Sequence, residues 1–205
     1  MPGRPRPLAY WDERRASLLG AAREEVAESG VEGLTLDRIA RRAGVSKGSV
    51  QYAFGSKEQL LGELARDTLF GIFSDGVAAT ATTGSAGLRA VVDGLSEGLA
   101  ADETRLVALL SMMATARRSD ATREALAGFY AEADPIIARA LADGGVGVGS
   151  EDLAVLVRGL RGVVLGMFIH WVVHPQGRGL PDVAAEVRFV LERLMGQAVE
   201  AAEAG

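Results

Sequence analysis

The stretch "LTLDRIARRAGVSKGSVQYAFGSKEQLL", residues 34–61, signals the start of a helix three times in succession. Thr35, Ser46 and Ser56 each place a hydroxyl where it can accept a bond from a first-turn backbone N–H, a donor with no partner inside its own helix. Leu34 and Ile39 bracket the first start at staple spacing, and Val45 and Val50 bracket the second. Gln59 stands three residues after Ser56 and completes a capping box. Gly44 ends the first of these helices as a left-handed cap. The segment therefore reads as helix, tight turn, short helix over Lys47–Phe54, tight turn, long helix. Ahead of it, Leu18, Leu19, Ala22 and Val26 recur at helical spacing between Trp11 and Glu28.

Beyond residue 75 there is no alternating strand pattern. Breaks at 80–87, 100–104, 117–121, 143–152 and 174–182 separate about five more helices. The expected fold is all-α: an N-terminal three-helix helix-turn-helix domain over 1–55, then a helical bundle over 56–205. The chain has no cysteine, which excludes disulfide frameworks and thiolate zinc sites and agrees with a reducing cytoplasm. Its amino terminus lacks the apolar core of a secretory signal. The longest apolar run, "GVVLGMFIHWVV" over 162–173, is too short for a membrane span and reads as a buried core helix.

A net charge of −5 argues against indiscriminate polyanion binding, but the charge is unevenly spread. Residues 1–60 carry ten Lys/Arg against eight Asp/Glu, while the remainder carries twelve against nineteen. The only two lysines, Lys47 and Lys57, both lie in the opening stretch. A helix, a short glycine-containing turn and a second short helix form a DNA-reading helix-turn-helix, whose second helix presents its first residues to base edges. Here those residues are Lys47, Gly48, Ser49 and Gln51. Lysine suits guanine or phosphate, and serine and glutamine suit base edges. Glycine at 48 sacrifices about 1 kcal/mol of helix propensity, which fits a close backbone approach to the duplex. Tyr52 can offer a phenol to a phosphate. Lys57 opens the next helix, where its charge opposes the positive helix end unless an anion is near. Thr35 holds a matching position.

These residues resemble the helix-turn-helix of the TetR family of bacterial repressors. The shared pattern is Thr35, Ile39-Ala40, Ala43-Gly44-Val45-Ser46, Gly48, Tyr52, Phe54, Lys57 and Leu60-Leu61. The resemblance covers about the first 60 residues; the rest matches in length and helical character. It implies a homodimer on a near-palindromic double-stranded operator, released by a small-molecule effector. By position it implies that Lys47, Gly48, Ser49 and Gln51 face bases and that Thr35, Tyr52 and Lys57 face phosphates. Ala53 stands where many members carry histidine, which removes a polar contact. Arg4 and Arg6 precede the first helix and either enter the adjacent minor groove or belong to a disordered tail.

In the carboxy-terminal part, glycines at 159, 162 and 166 within one apolar helix expect a close helix neighbour. With the helix over 184–199 this one is suited to a four-helix dimer interface, as the resemblance implies, or to burial within its own domain. Met112, Met113, Phe129, Tyr130, Met167, His170 and Trp171 are the candidates for an effector pocket, although core packing is the commoner reason for each of them. His170 and His174 have metal-ligand spacing but no third ligand, so no metal and no cofactor is expected. An enzyme with an accessory DNA-binding segment and an effector-independent architectural protein are the alternatives. No nucleophile–base pair, P-loop, dinucleotide fingerprint or metal set supports the first. Sequence-neutral, salt-sensitive binding would mark the second.

Overall fold

The computed structural model describes residues 8–78, 84–147 and 149–203. Nine helices and no strand lie among the described residues. The first four are α1 (Leu8–Gly33), α2 (Leu36–Arg42), α3 (Lys47–Phe54) and α4 (Lys57–Ala78). Thr35 caps α2, its Oγ1 accepting the Arg38 N–H, and Ser46 caps α3, accepting the Ser49 N–H at 3.2 Å. Ser56 likewise accepts the Gln59 N–H at the start of α4. All three expected starts are in place.

Two turns depend on glycine. Gly44 takes φ 64°, and Val45 N–H folds back to the Ala40 carbonyl at 2.8 Å, which closes α2 with a left-handed residue. Gly55 takes φ 74° between α3 and α4. A third positive φ, 69° at Gly30, interrupts α1 close to its end.

By its contacts the chain separates into two compact units, Met1–Thr68 with Val107–Leu126, and Leu69–Leu106 with Ala127–Gly205. In the first, Leu18, Val26, Leu34, Ile39, Val50 and Leu60 are buried to within 1% of full exclusion. All but Leu60 sit at positions that helical periodicity or stapling assigns to an inner face. One charged residue shares that interior. Glu25, 2% exposed, accepts the Ser29 hydroxyl at 2.7 Å and meets the guanidinium groups of Arg38 and Arg42. Burial pushes its carboxyl upward, but the Ser29 bond and the two arginines outweigh that and hold it below the usual carboxylate range. Arg42 also bonds Glu24 and Glu28, so three carboxylates from α1 anchor α2 by its arginines.

The remaining helices are α5 (Gly84–Ala100), α6 (Glu103–Thr115), α7 (Asp120–Asp143), α8 (Ser150–Val173) and α9 (Leu180–Glu203). Within the second unit α5 packs on α9, whose Arg188 pairs with Asp93 at 2.9 Å and with Glu97 at 2.8 Å. Gly98 permits the tightest approach: a Cβ there would lie 1.7 Å from the Ile72 carbonyl oxygen of α4. The turn into α9 is held by Trp171, whose indole N–H donates to the Arg178 carbonyl at 2.9 Å, and by Arg178 on Glu186.

The apolar run on α8 departs from expectation. Only 17% of its most apolar eighteen residues is buried, so it is not the core helix that its composition predicts. Phe168 and Trp171 do face inward, but Ile169, Val172 and Val173 are 49%, 45% and 64% exposed. Gly159, Gly162 and Gly166 meet nothing: a Cβ at each would have no neighbour within 4 Å. Among the described residues, those glycines have no such close neighbour. By length and composition α8 could also cross a membrane, at a mean hydropathy of 1.6, although it carries Arg158 and Arg161.

Candidate nucleic-acid interface

The short helix α3 divides by side. Val50 and Phe54 are 0% and 3% exposed and point into the first unit, with the Arg15 guanidinium lying 4.8 Å from the Phe54 ring centroid. At 100° per residue, Lys47, Gly48, Gln51 and Tyr52 fall together on another side, and all four are exposed, Tyr52 to 80%. A methyl at Gly48 would have only the Ser46 Oγ near it, at 3.8 Å, so no contact among the described residues requires glycine there. Thr35 is exposed at the start of α2, and Lys57 is half-buried at the start of α4.

Side chains on this face already have partners within the chain. Lys47 Nζ lies 2.8 Å from Asp37 Oδ2 on α2, both side chains more than half exposed. Such a pair contributes about 0–1 kcal/mol. The Ser49 hydroxyl lies 2.9 Å from that of Ser46, within the α3 cap. Sequence reasoning missed Asp37, whose position ten residues before Lys47 gives no local sign of contact. Next to Lys57, Glu58 turns its carboxylate back onto its own backbone N–H and the Ser56 hydroxyl, and these bonds lower its pKa. That carboxylate offsets the unfavourable placement of Lys57 against the helix dipole. Arg4 and Arg6 lie outside the described residues.

The effector-pocket candidates fall into three places. Met112 is fully buried and Met113 half-buried on α6, in the first unit. Phe129 and Tyr130 line a narrow apolar cavity in the second unit, about 30 Å³ with Arg161 in place, which also exposes Asp134 and Arg161. Met167, His170 and Trp171 line a separate groove along α8 that reaches Arg178 and Glu186. The His170 and His174 rings lie 5.6 Å apart between centroids, tilted by 48°, and no cluster of three metal-ligating side chains occurs among the described residues. Sequence reasoning missed Asp134 and Arg161, because "AEADPII" and "RGLRGVV" each hold two charges and nothing local sets Asp134 apart from Glu132 or Arg161 from Arg158.

This arrangement, a capped helix pair with an outward polar face followed by a helical unit holding an apolar cavity, is the design of a DNA-binding regulator. Residues 18–64 match the model for bacterial regulatory proteins of the tetR family, and residues 77–198 match that for the C-terminal part of BetI-type transcriptional repressors. The chain belongs to the TetR family of bacterial regulatory proteins. It is similar to the HTH-type transcriptional regulator BetI of Agrobacterium fabrum, 35% identical over 115 residues, 55% of this chain and 56% of that one. Matches to other BetI regulators, from Chromohalobacter salexigens and Rhizobium meliloti, span 42% and 32% of their lengths, so the chain aligns with about half or less of these curated relatives. Among solved structures, a transcriptional regulator of Pseudomonas aeruginosa PAO1 superposes with TM-score 0.75 at 19% identity, over 93% of this chain and 94% of that one. A regulator of Saccharomonospora viridis in complex with choline superposes with TM-score 0.70 at 21% identity, over 88% and 96%. These likenesses establish the fold. The family and these relatives are regulators, not enzymes.

Proposed function

We propose that the protein is a ligand-responsive transcriptional repressor that binds a near-palindromic operator as a homodimer and leaves it when a small molecule binds. Residues 1–55 read DNA in this scheme, and residues 56–205 bind the effector and dimerise. The single observation that carries the reading is the outward face of α3, exposed at Lys47, Gly48, Gln51 and Tyr52 while Val50 and Phe54 anchor the helix behind it. Lys47, Gly48, Ser49 and Gln51 take the bases; Thr35, Tyr52 and Lys57 take phosphates. Two copies of α8 and α9 form a four-helix interface, which would cover Ile169, Val172, Val173 and Phe189 and give the open glycines of α8 their neighbour. That burial, rather than a bilayer, accounts for the apolar face of α8 and keeps the protein in the cytoplasm. The effector acts by population shift, favouring a dimer whose two recognition helices no longer fit major grooves about one turn of DNA apart.

Selection of bound duplexes from a random pool with the purified protein is the decisive experiment. A palindromic consensus with half-sites about 10 base pairs apart is the expected outcome; retention of all duplexes alike, falling steeply with salt, would favour an architectural role instead. Choline, carried by one structural neighbour, is the first effector to assay for release.

A further inference from the structure

Tyr130 and Asp134 are four residues apart on α7 and share a side of it. Arg161 reaches both from α8. Its guanidinium carbon lies 3.9 Å from the Tyr130 ring centroid, and Nη1 donates to an Asp134 carboxylate oxygen. All three line the apolar cavity of the second unit, with Phe129, Val157 and Val164 among its walls. An aromatic face beside a carboxylate, enclosed by hydrocarbon, is a seat for an organic cation. Here the chain's own guanidinium fills it.

We propose that Arg161 is an internal placeholder for the cationic group of an effector, and that a hydrophobic ammonium compound displaces it onto Tyr130 and Asp134. The exchange conserves charge: one cation leaves the ring and the carboxylate, and another arrives. Arg161 is the member free to leave. Its side chain is long and flexible and regains water when it swings out. Asp134 is short, and moving it away would strand the guanidinium. An anionic ligand on Arg161 would have to sit beside the Asp134 carboxylate, where like charges repel. The hydrocarbon walls select for an alkyl or aryl body. Because the seat is open only when Arg161 has swung away, apparent affinity is reduced by that fraction. The inference rests on the regulator reading only for its consequence at the operator; the binding step stands by itself.

Calorimetric titration of the full-length dimer without DNA tests that step, with benzyltrimethylammonium and dodecanoate as probes. Wild type is expected to bind the ammonium and not the carboxylate. Arg161→Met should bind the ammonium at least tenfold more tightly, and Asp134→Asn at least tenfold more weakly. The proposal is overturned if Arg161→Met binds the cation no better than wild type, if no ammonium binds the wild type, or if dodecanoate binds and is lost in Arg161→Met. Should Arg161→Met not fold, Tyr130→Leu keeps the ion pair and removes the ring; unchanged ammonium affinity there also overturns it. Operator release is measured separately. Tight ammonium binding without release would leave the placeholder standing and remove the effector role.

Discussion

Lys47 is the side chain whose setting most changes its meaning. In isolation it is a cation at the start of a recognition helix; in the fold it is paired with Asp37 at 2.8 Å. On the proposed reading, a duplex that takes Lys47 must compete with that carboxylate. Asp37→Asn should therefore alter stability by less than about 1 kcal/mol while raising affinity for all duplexes, as a filter-binding titration would register. Lys57→Ala should weaken every duplex about equally and reduce the salt slope by roughly 1; an unaltered slope would remove Lys57 from the phosphate set. Glu25 belongs to stability rather than recognition. Glu25→Gln deprives Arg38 and Arg42 of their buried partner and should cost about 1–3 kcal/mol in a denaturant titration. Its folded pKa is lowered, so the stabilisation is fully present above the unfolded value near 4.3 and is lost as pH falls through the lower folded one. A wild-type acid-denaturation curve that loses stability already between pH 7 and 5 would need another group to explain it.

At the level of elements, the caps and the glycines divide the work. Thr35, Ser46 and Ser56 set where α2, α3 and α4 begin, and all of this was legible because a cap acts within four residues of chain. The α4–α5 crossing was not legible. Gly98 sits in "SEGLA", where nothing local marks it, yet its missing side chain admits the Ile72 carbonyl. Gly98→Ala should separate the two helices and cost about 3 kcal/mol, read as a fall in thermal midpoint with helicity retained below it. α8 carries the opposite lesson. Its composition predicts a helix that avoids water, and that much holds, but composition does not say whether the covering surface belongs to the same chain.

For the whole molecule, that distinction decides the oligomeric state. The face of α8 and α9 that includes Val172, Val173 and Phe189 should close in a dimer, and Val172→Asp combined with Phe189→Glu should give a folded monomer. Sedimentation equilibrium would show it, and operator affinity should fall with it, because two half-sites then bind independently. A double variant that stays dimeric places the interface elsewhere. By itself, the amino-acid sequence determined the helical class, the starts of the DNA-reading helices, which of their residues turn inward, and the breaks between the helices from α5 onward; the first part of the break expected at 80–87 lies outside the described residues and the rest is helical. Each rests on interactions within a few residues, where spacing is geometry. The meeting of Lys47 with Asp37, of Arg161 with Tyr130 and Asp134, and the exposure of α8 were decided by tertiary structure alone. Those contacts join residues between ten and thirty-one positions apart, or depend on a surface no local pattern records, and only the packing of whole helices brings them together or leaves them bare.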